Sequence, residues 1–433
     1  MLSVFKTSWP LLLGMLLLML GNGLQGSLLG VRGSGLGFSA FEMSAVMSAY
    51  FAGFLVASRV TPNMIRRVGH VRVFAALGSM VSAALLLFPT IQDPIVWMLG
   101  RVVIGFCFCG VYVTAESWLN NASTNETRGQ ALSAYMIVQM AGIIIAQGLL
   151  VVPDPSGYLL FVIPSVLVSL AFAPILLSIS PTPAFESTKP MSLRELFNVS
   201  PLGFVGMFLM GSVFAAQFGM AAVYATEAGL SIGQIPFFTA AFYVGALLFQ
   251  YPIGWLSDRS DRRVLVAWSA AIAGVASVMG MVFGGNYYVL LACAFLIGGL
   301  SNPLYSLLIA YTNDFLEVED MAAASAGLLF VNGLGAIMGP LVIGYFIQVF
   351  GPPGFFILLA FVLLVLTGYA IYRMTQRAAP SIEETNAYHS MMPSATPVTV
   401  GYAQEWAIDT AEAEADAEAE VHAAEGDGKS NAA

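Results

Sequence analysis

Few residues of this 433-residue chain could do chemistry, and they stand out against an apolar background. Arg101 lies within the apolar run 95–118. An ionisable group in such a run costs about 2.5–3.5 kcal/mol on insertion, so it is a functional candidate by default. A guanidinium stays charged at any working pH. It can therefore meet a carbonyl, an amide or a ligand anion, but it cannot itself carry a transported proton. Uncharged polar groups recur in the other apolar runs: Asn22, Gln25, Gln139, Gln147, Gln217, Asn302 and Asn332. Asn22 and Gln25 stand three apart and share a helical face. Arg101, Gly105, Phe108 and Tyr112 follow helical spacing and form one stripe. Interhelical hydrogen bonding, worth about 0.6 kcal/mol per contact, is the competing explanation for each polar group.

Other chemistries find no support. Cys107, Cys109 and Cys293 sit in apolar runs and are expected to be small core residues, with no disulfide and no metal site. His70, His389 and His422 fall in loops or tail, so none can relay protons within a span. Gly30-Val-Arg-Gly33-Ser-Gly35 follows no strand and is not expected to bind phosphate, and no P-loop is present. No nucleophile–base pair is visible. The expectation is a protein that is no enzyme and needs no cofactor.

The elements positioning these groups follow from composition. Hydrophobic residues make up 58% and charged residues 9%, against about 25% charged in a soluble domain. That excludes a soluble enzyme, a nucleic-acid binder and a disulfide-stapled secreted domain. Twelve helices are predicted, at 9–29, 41–61, 72–91, 95–118, 130–151, 158–179, 201–225, 234–256, 263–283, 287–311, 325–349 and 354–373. Each can cross about 30 Å of hydrocarbon. Breakers separate them, among them Gly33-Ser-Gly-Leu-Gly37, Gln92-Asp-Pro94 and Gly284-Gly-Asn286. The first span follows a single Lys6 without a convincing cleavage site and reads as retained.

Basic residues set the orientation. Lys6, Arg59, Arg66, Arg67, Arg72, Arg128, Lys189, Arg194, Arg259, Arg262, Arg263, Arg373, Arg377 and Lys429 fall on one side, and Arg32 alone on the other. The positive-inside rule puts both termini in the cytoplasm. The longest polar connection inside the body, 180–200, holds Pro181, Pro183 and Pro190 and divides the chain six and six. The halves are 1–179 and 201–377. They repeat at an offset of 192: Gln25 onto Gln217, Gly53 onto Gly245, Ser133-Ala134 onto Ser325-Ala326. Two parallel-related six-helix halves form a transporter architecture with its site between them.

Gly254-Trp-Leu-Ser-Asp258-Arg259-Ser-Asp-Arg262-Arg263 resembles the G-x-x-x-D-R-x-G-R-R signature of the major facilitator superfamily, with Asp261 in place of the second Gly. The paired loop, Pro62-Asn-Met-Ile-Arg66-Arg67-Val-Gly69, departs further. Arg101-Val-Val-Ile-Gly105 and Gly335-Ala-Ile-Met-Gly339-Pro340 are similar to other motifs of that superfamily. Tyr50-Phe-Ala-Gly53, Glu116-Ser-Trp-Leu-Asn120, Arg128-Gly129 and Gln250-Tyr-Pro-Ile-Gly254 resemble the YcaD-type group of bacterial members. The likeness covers about residues 9–373.

The resemblance implies an all-α polytopic fold of two six-helix halves with a cavity lined mainly by helices 1, 4, 7 and 10. It offers Asn22, Gln25, Arg101, Gln217, Asn302 and Tyr305 as cavity residues; Tyr112 and Gln139 complete the candidates. It also implies a gate network in the basic loops: Arg66, Arg67, Glu116, Arg128, Asp258, Arg259, Arg262 and Asp314, with Asp314 a partner for Arg259 or Arg262. The alternative to a gate is that these charges only set topology.

Residues 378–433 hold 11 acids and one base, and lose the apolar periodicity. Like-charge repulsion and the lack of a core to bury predict a disordered cytoplasmic tail. The function expected is secondary transport of a small organic solute by alternating access, in a bacterial inner membrane, by a monomer contacting lipid and no nucleic acid. Proton coupling and facilitated diffusion both stay open, because no midplane carboxylate is apparent. Arg101 favours an organic anion or polar metabolite; the 30 Phe and 21 Met would suit multidrug-type efflux of amphipathic compounds. A non-transporting receptor or scaffold is the reading from another class.

Overall fold

A computed structural model of the chain describes residues 2–123, 127–152, 154, 157–176 and 191–377, and beyond them Tyr388, Met391, Thr396 and Val398. The described structure is helical: α1 Leu2–Gly35, α2 Ala40–Val68, α3 His70–Leu87, α4 Pro94–Ala122, α5 Arg128–Leu149, α6 Leu159–Leu176, α7 Leu193–Val199, α8 Pro201–Ala215, α9 Ala221–Glu227, α10 Ile235–Ser257, α11 Arg262–Val282, α12 Tyr287–Asn313, α13 Val318–Phe350 and α14 Gly354–Gln376. Helices close their own backbone hydrogen bonds, the condition for apolar segments that meet no water. Among the described residues, eleven helical segments are long and apolar enough to cross a membrane. The apolar stretch of α6, Leu159–Pro174, is shorter.

Local chemistry explains the ends. Asp93 accepts from the Ile95 and Val96 N–H groups at 2.9 and 3.1 Å, with Pro94 opening α4. Asn286 caps α12 in the same way, through Tyr288 and Val289. A Ser39–Glu42 capping box opens α2. A second, Ser192–Glu195, opens the short α7, whose Leu196 is fully buried. The first helix runs past its expected end at residue 29 to Gly35, and Gly37, within the expected breaker 33–37, turns the chain at φ +83°.

The internal repeat is built into the packing. A Cβ on Gly53 would overlap the Val102 carbonyl, and one on Gly245 would overlap the Phe295 carbonyl. The α2–α4 crossing of the first half thus recurs as α10–α12 in the second. The offset is not constant, however. Gly53 and Gly245 differ by 192, but the caps Asp93 and Asn286 differ by 193. One added residue between these points is absorbed where helices end, since loops tolerate insertion better than packed helix faces.

The halves meet at the ends away from the basic loops. Gly30 of α1 lies against Ala222 of α9, and Gly344 of α13 against Ser44 of α2. Gln147 Oε1 accepts from the Ser27 hydroxyl at 2.6 Å and from the Thr239 hydroxyl at 2.9 Å, tying α1 and α5 to α10. Nearer the middle, the Ser48 hydroxyl donates to the Ile337 carbonyl at 2.7 Å.

The span predicted at 201–225 is interrupted. Between α8 and α9, Ala216–Met220 forms a π-helical turn. Such turns gather at functional sites, and this one carries Gln217 and Phe218.

Candidate functional site

A cavity of about 310 Å³ lies between the halves. Asn22, Tyr50 and Tyr112 form its polar end. Its other lining residues run along α2 through Phe51, Phe54, Leu55 and Ser58 to Arg59, and along α13 from Ala336 back to Ala323, reaching Met191 and Leu193 by α7. The cavity therefore extends toward the basic-loop ends, opposite the closed contact at Gln147. Seven lining residues are aromatic: Tyr50, Phe51, Phe54, Tyr112, Phe214, Phe218 and Phe330. Their rings pack on one another, with Tyr50 and Phe218 centroids 5.7 Å apart and Phe54 and Tyr112 6.1 Å apart.

The polar end has an open acceptor. Asn22 Nδ2 donates to the Tyr112 hydroxyl at 2.7 Å and to the Tyr50 hydroxyl at 3.2 Å. Its Oδ1 is buried and has no partner among the described residues. An unpaired buried amide oxygen costs about 1–3 kcal/mol, so this atom suits a hydrogen-bond donor on a ligand.

Arg101 is fully buried but is not part of the cavity wall. Its guanidinium lies 4.5 Å from the centre of the Tyr50 ring. Nη1 donates to Gln25 Oε1 at 2.7 Å, and Nη2 to Met47 Sδ at 3.7 Å. Tyr50 thus stands between Arg101 and the cavity. The Arg101–Gly105–Tyr112 stripe of α4 faces α2: Gly105 abuts the Tyr50 carbonyl, and Tyr112 reaches the cavity itself.

The other cavity candidates sit elsewhere. Gln217, Asn302 and Tyr305 line a separate space of about 10 Å³, too small for more than one water. There Gln217 Nε2 donates to Ser301 Oγ at 2.7 Å, and Asn302 Nδ2 to Gln217 Oε1 at 2.8 Å. Gln139 is buried on α5 and is absent from both linings.

At the basic-loop ends, Arg262 and Asp314 form a buried pair at 2.5 Å. Arg262 also donates to Ser257 Oγ and to the Ala310 carbonyl, and lies 3.7 Å from Asp258. Arg259 is exposed and stacks on Trp255 at 4.5 Å. Arg66 and Arg67 are exposed at the end of α2. Arg128 opens α5, but its side chain lies outside the described residues. Glu116 is buried and accepts from the Tyr135 hydroxyl at 3.0 Å and from the Thr396 hydroxyl.

Asp261, where the motif expects Gly, caps α11 through the Arg263 N–H at 2.9 Å and pairs with the Arg263 guanidinium at 2.7 Å. Burial would raise this carboxyl. The hydrogen bonds from Arg263 outweigh it and hold the group below the usual carboxylate range.

Sequence reasoning passed over Tyr50, Arg59, Phe218 and Phe330 as site residues. Arg59 lies 3.8 Å over the Phe330 ring, a contact between the halves at the cavity mouth. The available signal for Tyr50 was its place three residues before Gly53, on the same helical face. Nothing in the sequence pointed to Tyr388 or Thr396. The disorder expected of residues 378–433 otherwise falls outside the described residues.

The sequence profile described as Major Facilitator Superfamily matches residues 11–238 and 202–390. The relative named MFS-type transporter YcaD from Escherichia fergusonii is 25% identical over 324 residues, 74% of this chain and 83% of its own length. The Salmonella arizonae protein of the same name is 25% identical over 334 residues, 76% of this chain and 86% of its own. Two solved structures of the nucleoside transporter NupG share the fold. A mutant form superposes with a TM-score of 0.70 at 15% identity, covering 84% of this chain and 99% of that one. The other gives 0.64 at 13% identity, covering 87% and 98%. The two-half helical architecture, the central cavity and these matches converge: this chain belongs to the Major Facilitator Superfamily and is a multi-pass secondary transporter, not an enzyme.

Proposed function

We propose that the chain carries a small, aromatic or amphipathic organic solute by alternating access between halves 1–179 and 201–377. In this reading twelve helices span a bacterial inner membrane, α6 among them, with the basic-loop side and both termini in the cytoplasm. The single observation that carries the substrate class is the lining of the central cavity. Its rings offer apolar faces, and the unpaired Asn22 Oδ1 offers one acceptor. Predominantly apolar pockets with a few convergent polar groups are the usual form of small-molecule sites.

The organic-anion reading loses its main support, because Tyr50 and Gln25 hold Arg101 away from the cavity. Arg59 at the mouth is the cation available to an acidic substituent. Multidrug-type export is the second reading, favoured by the same aromatic wall. Asn22, Tyr50 and Tyr112 bind; Arg101 and Gln25 orient Tyr50; Arg262, Asp314 and Glu116 belong to the basic-side gate.

The test is thermal unfolding of the purified chain against nucleosides, aromatic carboxylates, planar amphipaths and lipophilic cations. A ligand at 100 times its Kd adds about 2.7 kcal/mol of apparent stability. Stabilisation by an aromatic amphipath, lost in Asn22→Leu and Tyr112→Phe, is the expected result. Stabilisation by small non-aromatic anions, lost in Arg101→Ala and unchanged in Asn22→Leu, would overturn this reading of the site.

A further inference from the structure

Four residues from beyond α14 lie at the basic-loop ends of the helices, and their partners come from both halves. On the second half, Gln250 Nε2 donates to the Tyr388 hydroxyl at 2.9 Å, and the Tyr388 N–H donates to Asp258 Oδ1 at 2.9 Å. The Tyr388 ring lies over Gly254, where a Cβ would come within 2.7 Å of it. The Met391 N–H donates to Ser306 Oγ at 2.8 Å, and the Ser306 hydroxyl donates to the Met391 carbonyl at 3.1 Å. On the first half, the Thr396 hydroxyl donates to Glu116. Thr396 is fully buried, Met391 nearly so, and Val398 packs against the core. Gln250, Ser306 and Glu116 are themselves buried, on α10, α12 and α4.

We infer that the basic-side mouth between α4 and α10–α12 is a docking groove for Tyr388, Met391 and Thr396 of the chain's own C-terminal region, which act as a wedge. The tail residues contribute main-chain groups at Tyr388 and Met391 and hydroxyls at Tyr388 and Thr396, and the groove meets them with side chains alone. The polar matching is donor to acceptor: the groove carboxylates Asp258 and Glu116 accept from the Tyr388 N–H and the Thr396 hydroxyl. The eleven residues between Gln376 and Tyr388 can span roughly 40 Å when extended, ample for the return. Alternating access requires α4 and α12 to approach on this side when the cavity closes there. A segment bonded to Glu116 on one wall and Ser306 on the other holds them apart. Undocking therefore precedes closure, and the tail sets the fraction of molecules able to turn over. The docking rests on the contacts alone; the wedge rests also on the alternating-access reading.

Two measurements on the full-length protein separate these parts. Ser306→Cys with Met391→Cys should form a disulfide under mild oxidation, identified by mass spectrometry of the joined peptides. Absence of that cross-link in monodisperse protein overturns the docking. Spin labels on Ser123→Cys, at the end of α4, and Glu317→Cys, in the turn that joins α12 to α13, then report the width of the mouth. The intact chain should give one long distance. Tyr388→Ala with Thr396→Val should add a shorter population and raise the closed-to-open ratio about tenfold, the worth of two buried hydrogen bonds. A synthetic peptide of residues 385–400 should reverse this in a chain ending at residue 377. An unchanged distance distribution in both the double variant and the shortened chain would overturn the wedge. Neither reading depends on the Asn22 cavity, so failure there and failure here are distinguishable.

Discussion

Arg101 and Gln25 should be energetically coupled, and the structure sets the size. Arg101 is fully buried. Its polar contacts among the described residues are Gln25 Oε1 at 2.7 Å, the Met47 sulfur and the face of Tyr50, while Nε has none. A thioether is a weak acceptor, so the amide carries most of the load. Hydrogen bonds to a charged group contribute about 1.5–3 kcal/mol, well above the 0.6 kcal/mol average for polar pairs between membrane helices. Gln25→Leu strands the charge and should cost about 2 kcal/mol. Arg101→Met strands the amide and should cost less. The double variant replaces both partners by apolar groups and should recover most of the loss, giving a coupling of about 1.5–3 kcal/mol. The assay is unfolding in mixed micelles against rising SDS, with all four proteins compared at one detergent composition. Additive losses, or a coupling at or below about 0.6 kcal/mol, would refute the claim that Gln25 is what holds the guanidinium behind Tyr50.

Asp261→Ala should destabilise by about 1 kcal/mol through the lost cap, while Asp261→Asn keeps the cap and should cost under about 1 kcal/mol for the ion pair. Because the folded carboxyl is held below its usual range, its contribution is present at neutral pH. It is lost as pH falls through about 4 and on past the depressed folded value. Titrated unfolding midpoints of wild type and Asp261→Asn should therefore converge in acid. Gly53→Ala should cost about 1–3 kcal/mol, because its Cβ overlaps the Val102 carbonyl. Gly368→Ala, with open space around it, should be stabilising by about 0.5–1 kcal/mol; equal effects at the two glycines would contradict the close α2–α4 crossing. In binding assays, Tyr50→Phe should keep the cation–π contact with Arg101 and lose the hydroxyl's contacts with Asn22 and Tyr112, so a several-fold loss of ligand affinity is expected with a stability loss of about 1 kcal/mol.

What was legible in the sequence depended on local chemistry. Apolar length identifies a span whatever packs against it. Asp93-Pro94 and Ser192-x-x-Glu195 carry their own caps, and the loop arginines mark one side by their positions alone. The shared Gly53 and Gly245 spacing announces two related halves because close crossings demand glycine. The tertiary structure decided which polar side chains share a space. Asn22 and Gln25 lie three residues apart on one helix, yet Asn22 faces the cavity and Gln25 faces Arg101. A few tens of degrees of helix rotation separate a binding residue from a buried support, and that rotation is set chiefly by packing with α5 and α6, which no single segment encodes. The same holds for Tyr50, whose ring divides Arg101 from the cavity, and for Tyr388 and Thr396. Their neighbours in sequence read as a solvated acidic tail, while their partners lie more than a hundred residues away.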